Sequence, residues 1–190
     1  MTAILGLAGS LRRGSRNAAL LREAAALAPA GSEIRIGSIE GIPLYNADVQ
    51  QADGFPETVL ELKRQLRAAD GLLLVTPEYN NSIPGVFKNA IDWVSRPADE
   101  IPEVFGDLPV AVAGAGGRSG TRFAQGAWLP VFRTLGMRHW SARMLYIDRS
   151  WERFDDQGRL VDDEDRQRLA RLVREFATHC GELPRSRRTT

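Results

Sequence analysis

The chain has 190 residues, 43% of them hydrophobic, and 25 Lys+Arg against 24 Asp+Glu give a formal net charge of +1. That is enough apolar material for a full core without disulfides or a structural metal, and the near-cancelled charge argues against a surface built to grip nucleic acid or an anionic membrane. A single cysteine, Cys180, excludes an internal disulfide, and His139 and His179 stand apart with no metal-ligand spacing around them.

The elements follow in order. Ala3–Ala8 (AILGLA) reads as a buried strand, too short for a secretory leader and followed rather than preceded by arginines. No apolar run approaches a membrane span, so a soluble, cytoplasmic protein is expected. Ser15–Ala28 reads as a helix ending before Pro29 and Gly31, and Glu33–Ile39 alternates with period two. Pro56–Ala69 is helical, opened by Pro56 at a first-turn position. Gly71–Thr76 is apolar throughout, as a strand buried on both faces should be.

The pattern then repeats. Pro84–Val94 places Val86, Phe87, Ala90, Ile91 and Val94 on one helical face, and Leu108–Ala115 is a strand running into glycines. Thr121–Leu135 reads as a helix stopped by Gly136, with a kink expected at Pro130. Arg138–Ile147 supplies a last strand. Asp163–Cys180 closes with Leu169, Leu172, Val173 and Phe176 at helical spacing. The acidic run Asp162–Asp165 fits the start of that helix, where its dipole favours negative charge, better than a metal site. Trp93, Trp128, Trp140 and Trp151 are expected in the core or at a subunit interface. Five strands alternating with five helices predict a parallel sheet with helices on both faces, one domain over 1–182, and a disordered tail over 183–190.

In such a sheet, ligands bind beyond the carboxyl ends of the strands. Three of those ends carry unusual loops. After the first strand comes GSLRRGSRN (Gly9–Asn17), with Gly9 and Gly14 spaced as in a Walker A loop but Ser15 where that loop needs its lysine. Ser10, Arg12, Ser15 and Asn17 offer hydroxyl, guanidinium and amide donors, and the helix starting near Ser15 points its free N–H groups at the same space. These donors suit a phosphate monoester better than a metal-bound triphosphate; read alone, the loop is also compatible with a plain capped turn. After the third strand, TPEYNNSIPGVFKNAIDW (Thr76–Trp93) holds Pro77, Glu78, Tyr79 and Asn80 in a polar loop against which a flat heteroaromatic ligand would lie, or which is simply a turn. After the fourth, AGAGGRSGTR (Ala113–Arg122) nearly matches a dinucleotide fingerprint, but Ser119 replaces its last glycine and the loop follows the wrong strand. Gly114, Gly116 and Gly117 would instead let backbone approach the edge of a flat ligand.

GSLRRGSRN and TPEYNNSIPGVFKNAIDW together resemble the two signatures of the NAD(P)H-dependent FMN reductases, a group that includes quinone, chromate and azo-dye reductases. The resemblance implies an α/β, flavodoxin-like three-layer sandwich with a five-stranded parallel sheet in the order 2-1-3-4-5, and one FMN per chain. By motif, Ser10, Arg12, Ser15 and Asn17 would hold the FMN phosphate, and Pro77, Glu78, Tyr79 and Asn80 would border the isoalloxazine. Gly114, Gly116 and Gly117 match the family pattern less closely, since a serine upstream of them is replaced. The resemblance further implies a homodimer or dimer of dimers, and ping-pong transfer from NADPH or NADH to FMN and on to a quinone, flavin, chromate or azo acceptor. No catalytic side chain is assigned. The alternatives are an FMN-binding electron carrier or redox sensor, for which the charge is less acidic than expected, and a flavin-free domain binding another phosphate ester.

Overall fold

The computed structural model describes residues 1–182, so the tail expected at 183–190 lies outside the described residues. The first half runs β1 (Thr2–Ala8), α1 (Arg16–Ala26), β2 (Ser32–Ile36), α2 (Ala47–Asp53), α3 (Glu57–Ala68), β3 (Gly71–Val75) and α4 (Gly85–Val94). A 3₁₀ turn at Ala98–Glu100 leads into α5 (Ile101–Val104), β4 (Pro109–Ala115) and α6 (Arg122–Leu135). Then come β5 (Arg138–His139), β6 (Leu145–Ile147), α7 (Ser150–Arg153) and α8 (Asp163–Glu182).

All pairings within the sheet are parallel, in the order β2-β1-β3-β4-β5, with β6 also paired to β4. The order 2-1-3-4-5 is therefore the observed one. Alternate residues of the central strands feed opposite faces, because side chains along a strand point alternately up and down. Leu5, Leu7, Leu72, Leu74, Val110 and Val112 face a layer from α3, α4 and α6 that includes Leu62, Phe87, Trp93, Trp128 and Phe132. Ile4, Leu73, Val75, Ala111 and Ala113 face α1 and α8, through Leu20, Leu21, Leu169, Val173 and Phe176. With both faces covered, β3 and β4 are buried along their whole length, which is why they read as uninterrupted apolar runs.

The last strand departs from expectation. Arg138–Ile147 is not one strand but two short ones, since Arg138 and His139 pair with Pro109 and Val110 while Leu145–Ile147 pair with Ala113–Ala115. The Trp140 N–H still donates to the Val110 carbonyl at 2.8 Å, and the ladder breaks after it: Trp140 packs on Phe176, residues 141–144 bulge out, and Arg143 reaches an ion pair with Glu175 of α8. Helix α6 runs on through Pro130. The residue four before it is Gly126, which is exposed, so solvent can serve the carbonyl that the proline leaves without a donor. Helix α2 was not foreseen; it is short, capped by Asn46, and buries no residue. Trp93 and Trp128 are core residues, Trp140 is buried, and Trp151 is half exposed. Asp162 caps α8 by accepting the Asp165 N–H at 3.0 Å, and it ion-pairs with Arg153.

Candidate functional site

At the carboxyl end of β1 the chain must pass under α4. A side chain at Gly9 would run into the Phe87 ring, so only glycine fits, and the Gly9 N–H continues the ladder to the Val75 carbonyl at 3.0 Å. The loop then closes on itself. Ser15 N–H donates to the Arg12 carbonyl at 2.9 Å, and the Arg12 guanidinium donates to the Gly14 carbonyl at 2.8 Å. Buried Ser15 is the N-cap of α1: its Oγ accepts the Ala18 N–H at 3.2 Å. The N–H groups at the next two helical positions, Arg16 and Asn17, belong to a first turn that has no partner within the helix. They aim, with the positive end of the helix dipole, at the space beside Ser10 and Arg12.

Asn17 itself points elsewhere. Its carboxamide, buried between α1 and the end of β4, donates to the Ala115 carbonyl at 2.8 Å and accepts the Ala115 N–H at 2.9 Å. The sheet explains the need. Thr76 N–H still bonds the Ala113 carbonyl, but Pro77 has no N–H and leads the chain away, so Ala115 has lost its neighbour on that side.

The loop after β3 is fastened in two ways. Tyr79 and Ser82 exchange backbone hydrogen bonds at 3.2 and 3.0 Å across Asn80 and Asn81, which sit at φ 51° and 58°. Two successive left-handed residues make a tight reversal that asparagine tolerates better than other side chains. Glu78 accepts the Phe123 and Ala124 N–H groups at 2.8 and 3.0 Å and the Ser119 hydroxyl at 2.6 Å, so its carboxylate caps α6 and ties the second loop to the third.

In the third loop, a Cβ on Gly114 would strike the Thr121 hydroxyl and the Thr76 carbonyl, and one on Gly116 would strike the Gly120 carbonyl. Gly117 has open space where its Cβ would be. The chain reverses through a bridge between Gly117 and Gly120. A fourth segment, absent from the sequence reading, closes over it: Arg149 and Ser150 N–H groups donate to the Gly117 and Gly116 carbonyls at 2.9 and 3.0 Å.

These segments enclose one well of about 170 Å3. Ser10, Arg12, Ser15 and Asn17 lie on one side and Pro77, Glu78 and Tyr79 on the other, with Gly116 between them. Asn80 lies at the tip of its turn, Gly114 is buried beneath, and Gly117 lies just beyond the lining. Arg16, Ala115 and Ser150 complete the wall and were missed. Arg16 had a signal in its place at the first turn of an exposed helix start, whereas Ser150 had none. The well is cationic at the α1 end and lined by backbone and aromatic surface at the Tyr79 end, a layout suited to a phosphate joined to a flat ring.

The chain is similar to several known flavin-dependent oxidoreductases. Residues 2–152 match the family model described as NADPH-dependent FMN reductase. The chain is 47% identical over 165 residues to an NAD(P)H-dependent FMN reductase of Pseudomonas aeruginosa, covering 86% of this chain and 87% of that one. It is 39% identical over 170 residues to a 2-hydroxy-1,4-benzoquinone reductase of a Burkholderia species, covering 89% and 91%. Among solved structures, the flavoenzyme NAD(P)H:(acceptor) oxidoreductase FerB of Paracoccus denitrificans superposes with a TM-score of 0.82 at 31% identity, covering 96% of this chain and 98% of that one. Fold, strand-end loops and relatives converge: the chain belongs to the NADPH-dependent FMN reductase family of flavin-dependent oxidoreductases.

Proposed function

We propose that the well holds FMN with its phosphate at the α1 end and its ring beside Pro77 and Tyr79, and that the protein moves reducing equivalents from NAD(P)H to a quinone-class acceptor in a ping-pong cycle. The observation that carries the proposal is the convergence, at one switch point of a parallel sheet, of a helix N-terminus, two arginines and the Tyr79 loop. Bound there, FMN supplies the hydride and electron chemistry. The residues supply position and field. Arg12, Arg16, the Ser10 hydroxyl and the first N–H groups of α1 neutralise and hold a dianion. Free space at Gly117 leaves its backbone open to the edge of the ring system. Glu78 and Asn17 act as fasteners, because their polar atoms are engaged with Phe123, Ala124 and Ala115. The quinone assignment follows the Burkholderia relative.

The well takes the phosphate and ribityl end and leaves the ring on an open rim. Half-exposed Leu11 and Tyr79 border that rim, and exposed Val86, Phe123 and Leu129 continue onto the outer faces of α4 and α6. Apolar side chains so placed fit a second copy of the chain covering the open side, as a homodimer.

The test is an anaerobic visible spectrum of FMN-supplemented, desalted protein before and after nicotinamide nucleotide. Retained flavin that bleaches on mixing and is reoxidised by benzoquinone is the expected result. Retained flavin that neither NADPH nor NADH bleaches would make the protein a carrier or sensor.

A further inference from the structure

The loop after β1 carries more positive charge than one flavin phosphate needs. On its other side lies a second cleft, of about 320 Å3, between α1 and the strap at 151–158. It shares Arg12, Ser15 and Arg16 with the flavin well, so the two are contiguous, and it adds Arg13 and Arg22. Among the described residues, no carboxylate lies within ion-pair distance of Arg13, Arg16 or Arg22. Of the two acids in the cleft, Asp155 is already matched: Arg159 donates to it from Nε at 2.7 Å and from its backbone N–H at 2.8 Å. Asp156, exposed at the turn, is the other. Four guanidiniums facing one uncompensated carboxylate leave the cleft strongly positive.

The opposite wall adds a flat apolar surface. Trp151 is 52% exposed at the cleft although it is the largest kind of side chain the protein could have buried. The strap that presents it is fixed in advance. Phe154 bridges to Leu160, the Val161 N–H donates to the Arg153 carbonyl at 2.9 Å, and Arg153 ion-pairs with Asp162. At the turn, Gly158 sits at φ 78°, a conformation that favours glycine, with the Arg22 guanidinium beside it.

Unpaired guanidiniums bind phosphate dianions, and an exposed indole stacks on a purine. We propose that this cleft binds the 2′-phosphorylated adenosine end of NADPH, with the 2′-phosphate on Arg13 and Arg22 and the adenine against Trp151, and that it is where the protein distinguishes NADPH from NADH. The inference rests on the proposed reductase reading, since it needs a dinucleotide whose nicotinamide reaches the ring while its other end follows the ribityl chain back past Arg12. NADH lacks the one group that these arginines select.

The test uses the FMN-loaded protein and the double variant Arg13→Ala/Arg22→Ala. Calorimetric titration should show 2′,5′-ADP binding at least about tenfold more tightly than 5′-AMP or inorganic phosphate, and the double variant should lose that margin. In steady state, the ratio of kcat/KM with NADPH to that with NADH should fall by about tenfold or more in the variant. Trp151→Ala should weaken 2′,5′-ADP but not phosphate. The proposal is overturned by phosphate binding as well as 2′,5′-ADP, which would make the cleft a general anion site. It is equally overturned by an unchanged nucleotide ratio, or by loss of flavin from the double variant, which would assign these arginines to FMN. If neither nucleotide bleaches the flavin, the reductase reading fails by itself, and the titration still decides whether the cleft selects a 2′-phosphate.

Discussion

The side chain of Asn17 pairs with the peptide of Ala115 in both directions, at 2.8 and 2.9 Å, across 98 residues of sequence. It stands in for the strand neighbour that Ala115 loses when Pro77 turns away. Replacing Asn17 with Ala leaves a buried N–H and a buried carbonyl without partners, and should destabilise the protein by about 2–4 kcal/mol. Urea unfolding of the flavin-free protein measures this. A change below about 0.5 kcal/mol would mean that water replaces the amide.

Arg12 is exposed and bonded only within its own loop. Arg12→Ala should therefore leave the stability of the flavin-free protein within about 0.5 kcal/mol while weakening FMN by about 1.5–3 kcal/mol. Ser15→Ala should do both kinds of damage, since it also removes the α1 cap at about 1 kcal/mol. Fluorescence titration with FMN separates the two variants, and unchanged affinity in Arg12→Ala would move the phosphate elsewhere.

The three glycines of the third loop should not behave alike. A methyl at Gly114 meets the Thr76 carbonyl and the Thr121 side chain, where neither can yield, and Gly114→Ala should cost more than about 3 kcal/mol. Gly117→Ala, with nothing within 4 Å, should fold normally and lose flavin affinity alone. Thermal melts with and without FMN read both effects, and equal melting of the two variants would contradict the packing described.

Glu78→Ala removes the carboxylate that caps α6 and ties Tyr79's loop to Ser119. We expect a loss of about 1–2 kcal/mol. The bound flavin spectrum should also shift, because the loop beside the ring is released. Tyr79→Ala, at a half-exposed site, should alter the spectrum or reduction rate with little change in stability. Stopped-flow reduction of both variants separates anchoring from contact.

Cys180 is buried against the sheet, and burial, with Asp70 nearby, pushes its thiol up to about 12. In the unfolded chain a thiol ionises near 8.5. Between those values the unfolded state gives up a proton that the folded state keeps, so stability falls as pH rises from about 9 toward 12, by up to about 1.4 kcal/mol per pH unit. Cys180→Ala should lack that contribution. Urea midpoints at pH 8 and pH 10.5 for both proteins check the difference, and a thiol that reacts with disulfide reagents in the native state would contradict its burial.

The alternation of strands and helices and the three strand-end loops were legible because apolar runs, helical spacing and glycine-rich exits are local patterns, whereas the strand order followed only from the resemblance of two motifs to a family. What was not legible depends on distant partners. Nothing near Asn17 announces Ala115, and nothing near Glu78 announces the Phe123 N–H, so Asn17 reads as a phosphate donor and Glu78 as a border of the ring although their polar atoms serve the protein. Ser150 comes to the well after residues 141–144 leave the ladder, in a bulge flanked by Trp140 and Arg143, which both meet α8. Periodicity alone sees Arg138–Ile147 as one strand.

Helix α8 contributes nothing to the wall of the proposed flavin well, yet it shares with α1 the cover of one side of the sheet, through Leu169, Leu172, Val173 and Phe176. Every loop of the well is synthesised before that helix. On the ribosome, then, all the residues proposed to hold the flavin emerge while Ile4, Leu73 and Ala111 have only α1 over them, and the loops rest on a half-covered sheet. On the proposed reading, firm flavin capture follows the docking of α8. A chain cut within α8 would carry every residue of the site and still be a poor flavoprotein.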